Sequence, residues 1–132
     1  RCAVAARYHD ASEILTGDLP TPIKYYNPDI KAAYKQVERA AGERLLDMLP
    51  PELRACYESD VLENDPALLP IVKAADKLSA HIKCLEEQKA GNTEFDSAAR
   101  QTWEAMQAMN LPELNWFTEH CLGAFSLNLD QL

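Results

Sequence analysis

Positive charge is in short supply in this sequence: 13 Lys and Arg stand against 21 Asp and Glu, a formal net charge of -8. Without a basic field there is nothing to release the counterions of a nucleic-acid duplex, which argues against duplex binding. A small phosphate ligand stays open, because it needs only a metal and one or two local cations. Glycine is scarce too, with 4 in 132 residues, so a glycine-cradle or loop-rich fold is disfavoured. The four cysteines, Cys2, Cys56, Cys84 and Cys121, make no CxxC pair. Neither a disulfide framework nor a zinc ribbon is favoured, and free thiols fit a reducing, cytoplasmic setting. No apolar run approaches the ~20 residues that span a bilayer, and no signal peptide is visible, so no membrane association is expected. An initiator Met is also missing. The chain opens RCAVAARYHD with an amphipathic helix under way, and the expectation is a chain that lacks its natural start.

What is present reads as helix almost throughout. Hydrophobic residues make up 47%, enough for an ordinary core. A first helix is expected over residues 2–15, with Val4, Ile14 and Leu15 as its apolar positions and Gly17 as its stop. Pro20 and Pro22 are expected to keep residues 17–23 out of helix. Asn27 can cap a second helix, with Pro28 in its first turn. Ile30, Tyr34, Val37, Ala41, Leu45 and Met48 recur at helical spacing as far as Pro50 and Pro51. A shorter helix covers about 51–59, and SDVLENDPA reads as a polar turn. The clearest helix spans 67–90, with Ile71, Ala75, Leu78, Ile82 and Leu85 on one stripe and Gly91 ending it. Another covers 93–109, with Phe95, Ala98, Thr102, Ala105 and Met109 in phase, and Pro112 opens a last one through Leu122. No strand-like alternation or internal repeat appears. The expected class is all-α, an irregular helical bundle.

Metal-capable side chains gather in YHDASEILTGDLPTP, residues 8–22. His9 and Asp10 are neighbours and leave a helix about 100° apart, so they can converge on an ion between their directions. Glu13 stands at i+4 from His9 and i+3 from Asp10 and shares that face. Imidazole with carboxylate suits a borderline or hard divalent cation. A carboxylate beside a metal-bound water serves as general base or acid. A hydrolytic metal wants at least three protein ligands, and Asp76 is the candidate third. Val72, Ala75, Leu78 and Ala80 surround Asp76 in sequence, an apolar setting in which a carboxylate needs a partner. The plainer readings are a partly solvated helix end for His9 and Asp10 and an interhelical hydrogen bond for Asp76. Pattern alone leaves both open.

The same residues carry a family resemblance. YHDASEILTGDLPTPIKYYN resembles the signature of the bacterial HD-domain 5'-deoxynucleotidases of the YfbR type. VKAADKLSAHIKCLEEQKAGNTEF is similar to the segment around that family's second metal-binding Asp, and WFTEHCLGAFSLNLDQL to its closing helix. The resemblance implies one HD domain over 1–132, N-terminally truncated, hydrolysing deoxyribonucleoside 5'-monophosphates in the cytoplasm as a homodimer. It implies that His9 and Asp10 bind a divalent cation, Co2+ or Mn2+, that Asp76 completes the metal site, and that Glu13 is catalytic. Asp18, Leu19, Pro20 and Thr21 match the turn that contacts the nucleotide, and Asp10 and Asp76 count as substrate contacts too. The family's earlier metal-binding His and its Arg-Trp pair fall upstream of this chain. His81 and His120 read as surface or interface histidines, Lys24 as a solvated lysine, and Tyr25 and Tyr26 as packing residues. Trp103, Trp116 and Phe117 are expected in the core or at a dimer contact. The alternatives are another HD phosphohydrolase, acting on nucleotide di- or triphosphates or cyclic dinucleotides, and a non-catalytic helical interaction module.

Overall fold

The computed structural model describes residues 1–24 and 26–131, so Tyr25 lies outside the described residues. They contain helices and turns and no strand, the all-α class expected. The chain divides into two compact units, Arg1–Leu69 and Pro70–Leu132. Among the described residues, no helix is long and apolar enough to cross a membrane.

The first unit holds α1 (Cys2–Tyr8), α2 (Glu13–Thr16), α3 (Thr21–Lys24), α4 (Pro28–Leu46) and α5 (Pro51–Val61). Asn27 caps α4 as its sequence predicts: its side-chain oxygen accepts from the Ile30 N–H at 2.8 Å, and Pro28 occupies the first helical position. Helix α4 packs against α2, α3 and α5, while α1 packs against α5. There Tyr8 meets Tyr57 edge-on, ring centroids 5.3 Å apart. The packed side of α4 carries Ala41, Gly42 and Leu46, all buried. Val37 and Met48, expected on that stripe, are instead 51% and 67% exposed.

Two boundaries depart from expectation. The helix expected over 2–15 is interrupted, with residues 9–12 forming turns between α1 and α2. The cause is at His9, whose ring Nδ1 lies 2.7 Å from the Ala6 carbonyl. That carbonyl is the one an uninterrupted helix would offer to residue 10, and a histidine ring near a helix end takes such carbonyls readily. Second, α3 begins inside the stretch expected to stay non-helical. Pro22 falls in its first turn, where a missing N–H costs nothing.

The second unit is built on α6 (Leu69–Lys89), α7 (Asp96–Ala108) and α8 (Pro112–His120), with short 3-10 turns at Thr93–Phe95, Leu122–Ser126 and Leu129–Gln131. Ala74, Met106 and Leu114 form its buried cluster, with Leu78, Met109 and Leu111 packed against it. Helix α6 is therefore turned relative to the expected stripe: Ala74 and His81 are buried and Ala75 is exposed. Gly91 ends α6 at φ +85°, with Asn92 N–H on the Glu87 carbonyl and Gly91 N–H on the Gln88 carbonyl, both 2.9 Å. This is a Schellman closure, which needs the left-handed conformation glycine supplies.

His81 is a correction: it is 5% exposed rather than a surface histidine. Its Nδ1 lies 2.9 Å from Thr102 Oγ1. That hydroxyl points its own hydrogen at the Ala98 and Ala99 carbonyls, 2.8 and 3.0 Å away, so Nδ1 is the donor to it. Trp103 and Trp116, 40% and 58% exposed, are not core residues. Trp116 stacks on His120, which is exposed as expected.

Candidate functional site

His9 is half-buried in the turn after α1, and Asp10 beside it is exposed. A carbonyl only accepts, so the 2.7 Å approach of His9 Nδ1 to Ala6 places the ring proton on Nδ1. That tautomer leaves Nε2 as the nitrogen with metal-binding capacity, oriented by a hydrogen bond behind it as ligating histidines are. Nε2 lies 2.9 Å from Asp10 Oδ2. Two ligands held at right angles, each ~2.1 Å from one ion, stand about 3 Å apart. The His9–Asp10 pair therefore fits two adjacent positions of a divalent cation's shell. Within either unit taken by itself, the described residues gather no group of three or more His, Cys, Asp or Glu around such a point.

Glu13 opens α2 one turn further on and is half-buried. Burial pushes its carboxyl pKa above the ordinary carboxylate value, and the negative charges of Asp10 and Asp18 add to the rise, against a smaller opposing effect of Lys24. The structure thus brings Glu13 into one field with Asp10 and Asp18. A carboxyl so raised is suited to taking and returning a proton nearer neutral pH.

Residues 17–20 leave the helix as expected. Gly17 adopts φ +70° and ψ 162°, a backbone region closed to side-chain-bearing residues in ordinary circumstances. Its N–H donates to the Glu13 carbonyl at 2.9 Å. Its carbonyl accepts from two hydroxyls, Thr16 Oγ1 and Tyr34 Oη, each at 2.9 Å. Asp18 and Pro20 are exposed and Leu19 is half-buried. The Pro20 carbonyl accepts the first N–H groups of α3, from Ile23 at 2.8 Å and Lys24 at 3.0 Å. Thr21 begins α3, and its side chain lies outside the described residues.

Lys24 is not the solvated lysine expected. Its Nζ pairs with Glu38 Oε1 at 2.7 Å and sits 5.0 Å over the Tyr34 ring. Sequence reading passed over Tyr34 and Glu38 as site residues. The available signal was their i, i+4 spacing on α4, facing a lysine just beyond two prolines.

Asp76 belongs to α6 in the second unit and is exposed, so the apolar setting read from its sequence neighbours does not surround it. The helix turns Val72 and Ala74 inward instead.

The family model described as "5'-deoxynucleotidase YfbR-like" matches residues 1–125. The chain is similar to a 5'-deoxynucleotidase of Shewanella oneidensis, 46% identical over 129 residues that cover 96% of this chain and 66% of that protein. To a 5'-deoxynucleotidase of Vibrio cholerae it is 46% identical over 134 residues, covering 100% of this chain and 69% of the relative. The 5'-deoxynucleotidase yfbR of Photorhabdus temperata is 45% identical over 134 residues, with 100% and 68% covered. This chain spans about two thirds of the length of these relatives. With the His9–Asp10 pair, the raised Glu13 and the Gly17–Pro20 turn standing inside the matched span, the chain belongs to the YfbR-like 5'-deoxynucleotidase family.

Proposed function

We propose that the protein hydrolyses deoxyribonucleoside 5'-monophosphates to deoxyribonucleoside and phosphate in a metal-dependent reaction. The observation that carries this reading is the His9–Asp10 pair, with Nε2 and Oδ2 2.9 Å apart, inside a family match that runs over residues 1–125. His9 Nε2 and an Asp10 oxygen would hold the cation, Co2+ or Mn2+. The resemblance, rather than geometry, assigns Asp76 as a further ligand and Asp10 and Asp76 as substrate contacts. Bound there, a divalent cation supplies Lewis acidity toward a phosphate oxygen and a water.

Glu13 positions the attacking water and takes its proton, a role its raised affinity for protons supports. Asp18 offers a carboxylate acceptor for a sugar hydroxyl. Leu19, Pro20 and Thr21 line the same turn against the nucleoside. Because Gly17 and Pro20 hold the turn in one conformation beforehand, little ordering cost is left for binding. A single HD domain, a homodimer and a cytoplasmic location complete the proposal.

The test is phosphate release from dAMP, dGMP and TMP and from their ribose counterparts, with Co2+, Mn2+ or Mg2+ and with EDTA. The expected result is release from the deoxynucleotides, faster with Co2+ or Mn2+, and none in EDTA. Release from nucleoside triphosphates alone would point to another HD phosphohydrolase, and release from nothing to a binding module.

A further inference from the structure

The contacts that hold the 17–20 turn converge on one short stretch of α4. At the front of the turn, Tyr34 Oη donates to the Gly17 carbonyl at 2.9 Å, joined there by Thr16 Oγ1 at 2.9 Å. At the back, Lys24 closes α3 by pairing with Glu38 at 2.7 Å while resting 5.0 Å over the Tyr34 ring. Tyr34 and Glu38 are one helical turn apart on the same face of α4. Both ends of the turn are thus tied to a single rigid element. We propose that Tyr34 is a positioning residue of the nucleotidase: its hydroxyl, together with that of Thr16, clamps the Gly17 carbonyl and so sets the direction in which Asp18 leaves the turn.

The argument is one of degrees of freedom. A peptide group is planar, so fixing the Gly17 carbonyl fixes the Asp18 N–H and with it the start of the Asp18 side chain. Gly17 is the residue best able to rotate that plane, because it has no Cβ to restrict it, and a Cβ built there meets nothing within 4 Å. Packing therefore does not hold the peptide, and the two hydroxyls do. Pro20, with its ring-locked φ, stiffens the other end. Tyr34 does not touch the reacting atoms under this assignment; it acts through Asp18. The inference rests on the nucleotidase reading for what Asp18 contacts, and on the structure alone for the clamp.

Tyr34→Phe keeps the ring under Lys24 and removes only the donor. In the full chain without ligand, 15N relaxation order parameters at Asp18 and Leu19 are expected to fall from the rigid range, about 0.85, toward about 0.6, with α5 and α6 unchanged. With dAMP and Co2+, KM is expected to rise about fivefold, the value of one net hydrogen bond, with kcat held within about twofold. Thr16→Val is expected to act in the same direction. Unchanged order at Asp18 and Leu19 in Tyr34→Phe would overturn the clamp, whether or not the wild type releases phosphate. Lowered order with an unchanged KM would overturn the positioning role. A wild-type chain inert toward dAMP would count against the nucleotidase reading instead, and the relaxation data would still decide the clamp.

Discussion

Glu13 is held in a setting that works against its own ionised form. Burial is the larger cause and the charges of Asp10 and Asp18 the next. Its folded pKa lies above its ordinary value of 4.5, so the folded state binds the proton more tightly than the unfolded one. Stability from this group is present at acid pH and is lost as the pH rises from 4.5 through the raised value. Replacing Glu13 by Gln is therefore expected to raise the melting temperature at pH 7 while abolishing phosphate release, the usual trade at a working site. Thermal denaturation of both forms at pH 7 checks it, and a variant less stable than wild type contradicts it. The wild-type kcat/KM should also fall on the acid side with an apparent pKa above 4.5, read from a pH–rate profile.

His81 shows the opposite sign. Burial holds its imidazole below the ordinary 6.5, with a backbone hydrogen bond to Ala99 as the smaller, opposing effect. The unfolded chain then binds the proton first as the pH falls. Stability from His81 is full above 6.5 and declines below it, down to the lowered folded value. Melting temperatures taken between neutral and mildly acid pH should fall, and His81→Gln should flatten that slope even if it lowers the starting point. A slope unchanged in the variant would assign the acid sensitivity elsewhere.

At the scale of elements, the helix ends that depend on local chemistry were legible in the sequence. The Asn27 cap and the Gly91 stop both stand where residue type placed them. Asn27→Ala is expected to cost about 1 kcal/mol, measured by chemical denaturation. Gly91→Ala should cost about as much, because the new side chain has open space but must adopt a left-handed φ of +85°. What periodicity could not show were the places where polar pairs replaced apolar packing. Glu38 is half-buried by pairing with Lys24, so a stripe counted in apolar residues alone drifted to Val37. On α6, His81 is buried through Thr102, and the stripe read from Ala75 and Ile82 was turned away from it. The break at residues 9–12 was hidden for a related reason: a side chain, His9, competes for a backbone carbonyl, and no residue there is a poor helix former by type.

At the scale of the whole chain, class and chemistry were the most legible features. A run of fifteen residues, 8–22, carries the paired metal donors, the proton-holding carboxylate and the stiff turn, and the family match spans all of them. The net charge of -8 bears on the substrate as well. An acidic chain repels a phosphate monoester unless a cation is bound first, so phosphate release should depend on divalent metal more steeply than on monovalent salt.

The central claim is that His9 and Asp10 hold a divalent cation. Calorimetric titration of the metal-stripped chain with Co2+ tests it most directly. The account predicts binding to the wild type that His9→Ala and Asp10→Ala each weaken at least about tenfold, with circular dichroism unchanged. Equal Co2+ affinity in wild type and both variants would contradict it.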